Sequence, residues 1–531
     1  MLHADLIAIV DRVYTMDPRR PVAKAVAVVG DRIAAVDTPG RIRRWRGPKT
    51  RVIEVPKQVI VPGLTDCHAH LFSWALMLDE VALAGVTSMA AALRKVQAGA
   101  ARTPTGRWLV GNGFDKNACG GRFPTATELD AVTGTVPACI YSRDWHCAWV
   151  NTAGLKRAGI TRRTADPPGG QILRDAKRRP TGILMDTAMD LLEPVRDRGS
   201  DPADPRVRRL WKRACREFHR FGLTGVHSVD GIEAFAWFQR FAAEGVLGLR
   251  VRYALPHNRL SGAEALQIRS GWGDDRLRIA ALKLFADGAL GSQTAWMYRA
   301  YPGRPGYYGI PICVGNELRD TACRATAIGL PCWIHAIGDR AVHEVASVLA
   351  DVGVPASGMH LPHRIEHAQC VRAKTLRVMR KAKIIASVQP SHLCEDMTIA
   401  DTHWRTAATF TYPFRSLQSA GILMAMGSDL PVETMNPFLG MYAAVTRKNR
   451  QGEPSQGWYP RERIDRWSAL AGYTVNAARS VGEGSRLGRL TPGHLADFAV
   501  LTDDPIRCDA AELPAVRATH TVVGGQLAWA E

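Results

Sequence analysis

The sequence predicts an α/β protein. Its centre is a distorted (β/α)8 barrel of the TIM type, with a small β-sandwich domain built from both chain ends and an insertion after the first barrel strand. Three observations predict it. Short apolar runs alternate with longer helical stretches through the middle of the chain. Both ends read as short strands separated by turn residues. Several of the central runs finish in His or Asp, as strands do when their ends converge on one reactive face.

The N-terminal runs Leu6–Val10, Ala25–Val29 and Arg32–Val36 are separated by Pro and Gly-Asp turn signals. Near the other end, Ala499–Leu501 and Thr519–Val523 are strand-like, and Gly524-Gly525 is a tight turn. Residues 1–60 and 484–531 are therefore assigned to one sheet domain, and 61–483 to the barrel. Eight barrel strands are predicted: Val59–Leu64, Ala138–Ser142, Leu223–His227, Ile279–Leu284, Pro331–His335, Arg364–His367, Ile384–Val388 and Ile422–Met426. Apolar residues at three- and four-residue spacing predict helices between them, for example over Ile232–Ala243 and Ala341–Leu349. The stretch 73–137 is too long for one crossover and is read as a cap-like insertion.

Composition bounds the function. The 531 residues are 46% apolar and 22% charged, the balance of a folded water-soluble chain. The charge-free run Ala325–Gly338 falls short of the roughly 20 residues that span a bilayer, so no membrane association is expected. The start lacks a secretion signal, and a cytoplasmic location is expected. The 11 cysteines contain no C-x-x-C and read as buried thiols. The net charge of +19 is spread along the chain, with only short basic patches such as Arg41–Arg46 and Lys177–Arg179. No zinc-finger or phosphate-loop motif accompanies it, so a solvated basic face is expected rather than a nucleic-acid site.

The chemistry concentrates in histidine. Of 16, seven (His68, His70, His146, His227, His335, His367 and His392) fall at or just past predicted strand ends. One would be unremarkable as a packed core residue. Seven at equivalent positions point to a metal site. In His68-Ala69-His70 the two imidazoles alternate along an extended strand and can reach one cation. Lys283 lies inside an otherwise apolar strand, a costly place for an ammonium; a buried ion pair with Asp287 is the competing explanation. Asp429 sits at the eighth strand end, where an N-cap before Leu430-Pro431 is the competing role.

The blocks Pro62-Gly63-Leu64-Thr65-Asp66-Cys67-His68-Ala69-His70, Lys283–Ser292, Ile334–Ala341, Arg364–Gln369, Gly427–Val432 and Gly488–Phe498 together resemble the amidohydrolase superfamily of metal-dependent hydrolases. They are most similar to its YtcJ-like branch, which includes N-substituted formamide deformylases and exoenzyme-regulator-like proteins. Gln293 departs from the arginine expected after Gly291-Ser292. The resemblance implies that His68, His70 and Asp429 hold one divalent ion, that His335 and His367 hold a second, and that Lys283, carrying a CO2-derived carbamate, bridges them. Zinc is the expected metal, as one or two ions. Catalytic roles are implied for Asp429 and Lys283, in hydrolysis of a non-peptide C–N bond of an amide or formamide-like small molecule by metal-activated hydroxide. Alternatives on the same fold are a C–O or cyclic-amide hydrolase, or a catalytically silent regulatory protein. A homodimer is compatible with the resemblance.

His146, His227 and His392 are read as substrate-pocket residues rather than ligands, each with a structural role as the alternative. The aromatics Trp145, Phe114, Trp149 and Trp296 either line an apolar substrate pocket or pack the insertion.

Overall fold

The computed structural model describes residues 3–115, 121–142, 147–167, 170–192, 194–195, 204–355, 361–404 and 411–531. The chain forms two compact units. One joins Met1–Trp74 to Lys212–Glu531; the other is Ala75–Trp211.

The larger unit holds an eight-stranded sheet: β1 (Leu64–Ala69), β2 (Leu223–Ser228), β3 (Arg250–Pro256), β4 (Leu277–Phe285), β5 (Cys332–Ala336), β6 (Arg364–His367), β7 (Ile385–Val388) and β8 (Met424–Met426). Neighbours pair in chain order, every ladder parallel. Helices such as Ile232–Ala243 and Asp339–Val352 lie between strands, as their apolar spacing requires. The sheet nearly closes. Beyond the end of β8, Leu430 bridges Ala69, Asp429 N donates to His68 O at 2.7 Å, and His70 N donates to Leu430 O at 2.8 Å. Gly427 permits this approach: a Cβ there would stand 2.5 Å from His68 N.

Two strand expectations are corrected. Ala138–Ser142 is a strand, but of the inserted unit. It pairs with Leu109–Phe114 and Cys147–Val150 in a six-stranded mixed sheet. The insertion therefore continues to Trp211, well past residue 137. The missing barrel strand is β3, whose Arg250 and Arg252 interrupt an apolar run. Both guanidiniums are buried and paired: Arg250 donates to both oxygens of Asp497 at 2.6 and 2.8 Å, and Arg252 to both of Glu483 at 2.5 and 3.1 Å. The run Val59–Leu64 also divides. Its first part belongs to the strand Arg51–Pro62 of another sheet, and the barrel begins at Leu64.

That other sheet has seven strands, in spatial order Gln526–Ala530, Ala518–Val523, Phe498–Leu501, Arg51–Pro62, Leu6–Tyr14, Val22–Val29 and Arg32–Asp37. Both ends of the chain build it, and one core unites them: Leu6, Ala8, Val10 and Val26 pack with Phe498, Val500 and Val522. Ile7, Ile9, Ala25 and Ala27 face the other way, onto Ile42. Gly524 and Gly525 both have positive φ and close the last hairpin. Among the described residues no helix is long and apolar enough to cross a membrane.

Candidate metal centre

His68 is the penultimate residue of β1, in its buried part, and His70 directly follows the strand's end. Their rings are 6.0 Å apart. His68 Nε2 is 3.4 Å, and His70 Nε2 3.7 Å, from Asp429 Oδ1. His367, at the end of β6, has its ring 4.9 Å from that of His68 and 4.5 Å from that of His335, which comes from β5. His367 and Asp429 both take left-handed backbone conformations, with φ of 72° and 59°. Such residues are uncommon outside glycine and cost on the order of 1–3 kcal/mol each, and they concentrate at sites where geometry outranks local stability. Lys283 is 97% buried in β4, counted from its 3% exposure; its Nζ reaches Leu284 O at 3.2 Å and rests 3.7 Å from the centre of the Phe285 ring. Among the described residues Lys283 has no ion pair, so the pairing with Asp287 does not form. Asp287 instead accepts the backbone N–H groups of Trp296, Ile337 and Gly338 at 2.8–3.0 Å and fixes the loops after β4 and β5.

The six side chains thus meet at the C-terminal ends of the strands. Burial holds the imidazoles of His68 and His367 well below their ordinary range and that of His335 down to about 3, with the nearby Lys283 ammonium or other imidazoles acting in the same direction. All three are neutral near pH 7 and keep a lone pair to give. Burial, partly offset by Lys283, pushes the Asp429 carboxyl up to about 8. Burial also brings the Lys283 amine down to about 8, against the pull of Glu366 and Asp429. Neutral imidazoles grouped about one shared carboxylate are the donor set of a divalent cation, and the residues present fit one. Among the described residues, two groups have ligand atoms within 4.8 Å of one another: His68, His70 and Asp429, and His367, His392 and Asp429. His335 stands apart from both; its Nε2 lies 3.0 Å from Gly288 O and 3.7 Å from Asp287 Oδ1.

Residues behind the centre hold it in register. His68 Nδ1 lies 2.6 Å from Glu366 Oε2, and His367 Nδ1 2.8 Å from Gln389 Oε1. Each contact orients a ring and fixes which nitrogen faces the centre. Glu366 is itself paired with Arg364, which also donates to Cys67 O at 2.7 Å. Asp66 accepts from His68 N, Ser428 N and Ser428 Oγ, joining β1 to the turn that carries Asp429. Glu366, Arg364, Gln389 and Asp66 were not among the expected site residues. For Arg364 and Glu366 the signal is a pair of charged side chains in a strand buried at every position, which requires partners.

The remaining expectations divide. His392 lies beside the centre, its Nε2 3.8 Å from Asp429 Oδ2. His227 does not reach the mouth. Its Nδ1 accepts from Arg364 at 3.0 Å, and it borders an internal cavity shared with Thr65, Thr224, Arg250 and Arg252 near the opposite strand ends. Phe114 is buried in the core of the inserted unit against Trp149, with ring centres 5.2 Å apart, which is the packing alternative for both. Trp296 lies under the Arg340 guanidinium at 4.3 Å. Trp145 and His146 lie outside the described residues.

Residues 57–528 match the family model described as "Amidohydrolase family". The chain is 29% identical to YtcJ of Bacillus subtilis (strain 168), over 97% of this chain and 98% of that protein. It is also 29% identical to the N-substituted formamide deformylase of Arthrobacter pascens, over 98% of each. A crystal structure of an uncharacterized metal-dependent hydrolase from Pyrococcus horikoshii superposes with a TM-score of 0.80 at 25% identity, covering 95% of this chain and 99% of that one. The chain belongs to the amidohydrolase family, in its YtcJ-like branch.

Proposed function

We propose that this hydrolase cleaves a non-peptide C–N bond in an amide or formamide-like small molecule, using a divalent cation held by His68, His70 and Asp429, with His367 beside them. The carrying observation is the convergence of neutral imidazoles on the shared carboxylate of Asp429, next to a buried lysine. Zinc suits imidazole and carboxylate ligands. When bound, such an ion supplies a water of lowered pKa and polarises a carbonyl. In this reading Asp429 does the proton work, which its position supports: Oδ1 faces His68 and His70, and Oδ2 faces His392. It takes the proton from the attacking water and delivers it to the leaving nitrogen, so that amide and water become acid and amine. Lys283 has a desolvated amine with no ion pair among the described residues, and its neutral form adds CO2. The addition makes an N–C bond and releases one proton, turning a misplaced cation into an anionic carbamate that suits a metal centre.

The test is an amine-release screen of N-formyl and N-acyl amines with the zinc-loaded protein. Amine release is expected, with Asp429→Asn reducing turnover by about 10²–10⁴-fold. A zinc-loaded protein that releases no amine across the panel but opens esters or lactones would overturn the C–N assignment.

A further inference from the structure

The last residue of β4 is Phe285. Its ring is 39% exposed, although the strand before it is buried except at Arg278. A single exposed apolar side chain on an outer surface needs no explanation. This one stands two residues beyond Lys283, so the two side chains leave the strand on the same side, and Lys283 Nζ lies 3.7 Å from the ring centre. In the ladder with β5 its neighbour is His335, with ring centres 5.3 Å apart. The His335 ring in turn lies 4.5 Å from that of His367. We propose that Phe285 is the specificity-determining residue of the site, its ring the platform for an aryl or alkyl group that the substrate carries directly next to the scissile bond. This rests on the metal-dependent hydrolase reading of the site, but not on which bond is cleaved.

The backbone holds the platform in place. Phe285 O accepts from Cys313 N at 3.1 Å, Ala286 O accepts from Ile312 N at 2.8 Å, and Ala286 N donates to His335 O at 2.8 Å. A ring fixed before the substrate arrives has little freedom to lose on binding. Its face offers no hydrogen-bonding atom, so a hydroxyl or carboxylate set against it gives up water without replacement. An aryl group gains both burial of apolar area and a stacked or edge-on ring contact. The lysine is no lasting rival for that face. The negative face of the ring attracts the ammonium, but CO2 addition turns the cation into an anion, which the same face repels. The ring is then left to an apolar partner.

The test measures binding and needs no turnover. Hydroxamates grip zinc through two oxygens and carry a variable group next to the chelating unit. Acetohydroxamate and benzohydroxamate place a methyl or a phenyl on the acyl carbon; N-hydroxy-N-methylformamide and N-hydroxy-N-phenylformamide place them on the nitrogen. All four are titrated by calorimetry into the zinc-loaded full-length protein, native, Phe285→Ala and Phe285→Leu, with zinc content measured alongside to show that the variants are folded. The native chain is expected to prefer phenyl over methyl by about 10–100-fold in at least one pair, and that pair shows which side of the bond carries the group. Phe285→Ala is expected to remove the preference, and Phe285→Leu, with apolar bulk but no ring face, to lower it; if the alanine variant loses zinc, the leucine variant decides by itself. No phenyl preference in either pair would overturn the proposal, as would a preference that both variants keep. A protein that binds none of the four would overturn the metal-dependent reading and the platform with it. A preference that depends on Phe285 in a chain that releases no amine would sink the C–N reading alone, and amine release without the preference would sink the platform alone.

Discussion

Asp429 sets how the centre responds to pH. Its carboxyl is pushed up to about 8 by burial, so below that pH it carries a proton that an incoming cation must displace. His68, His335 and His367 are already neutral and add no such competition. Lys283, brought down to about 8, is charged on the acid side and repels the same cation. The sign is therefore unambiguous: affinity rises with pH, by about tenfold per unit for each displaced proton between roughly pH 6 and pH 8. Chelator competition across that interval measures it, and a flat profile would contradict the assignment. At this scale the sequence disclosed the ligands better than their supports. His68-Ala69-His70 is visible because alternation on a strand puts two imidazoles on one side. Glu366 and Gln389 are not, because what they do depends on which strand lies next to theirs.

Buried ion pairs explain both the hidden strand and a stability prediction at the level of elements. β3 failed to read as a barrel strand because Arg250 and Arg252 break its apolar pattern. Their partners, Asp497 and Glu483, lie more than two hundred positions away, beyond local inspection. Ala138–Ser142 was legible as a strand, but its pattern is equally that of any buried strand. Its pairing with Leu109–Phe114 and Cys147–Val150 assigns it to the inserted sheet. Glu483 is 2% exposed and serves Arg252 and Arg278 together. Removing its charge leaves a buried guanidinium uncompensated, so Glu483→Gln is expected to cost about 3–5 kcal/mol. A lowered thermal midpoint with unchanged zinc content is the expected result. A midpoint equal to that of the native protein would show that water compensates the arginines.

The whole barrel depends on a thin closure. Seven of the eight joints are ladders, whereas β8 meets β1 through the Ala69–Leu430 bridge and a few backbone contacts. The ligands straddle that joint, His68 and His70 on one side and Asp429 on the other. A cation there binds the closed barrel and not the opened one. At a free concentration of a hundred times its dissociation constant it adds about 2.7 kcal/mol. Chelation is expected to lower the melting temperature, added zinc to restore it, and Asp429→Asn to abolish most of the shift. An unchanged melting curve after verified metal removal would separate the cation from barrel closure.

The sheet that unites the chain ends also constrains how the polypeptide can be made. The strand Arg51–Pro62 leaves the ribosome early, yet its partner along one edge, Phe498–Leu501, is translated only after nearly everything else. Until then Val59–Pro62 presents unpaired amides and carbonyls to any passing strand. Vectorial synthesis therefore leaves this edge open longest, and it is there that a holdase chaperone would find the nascent chain.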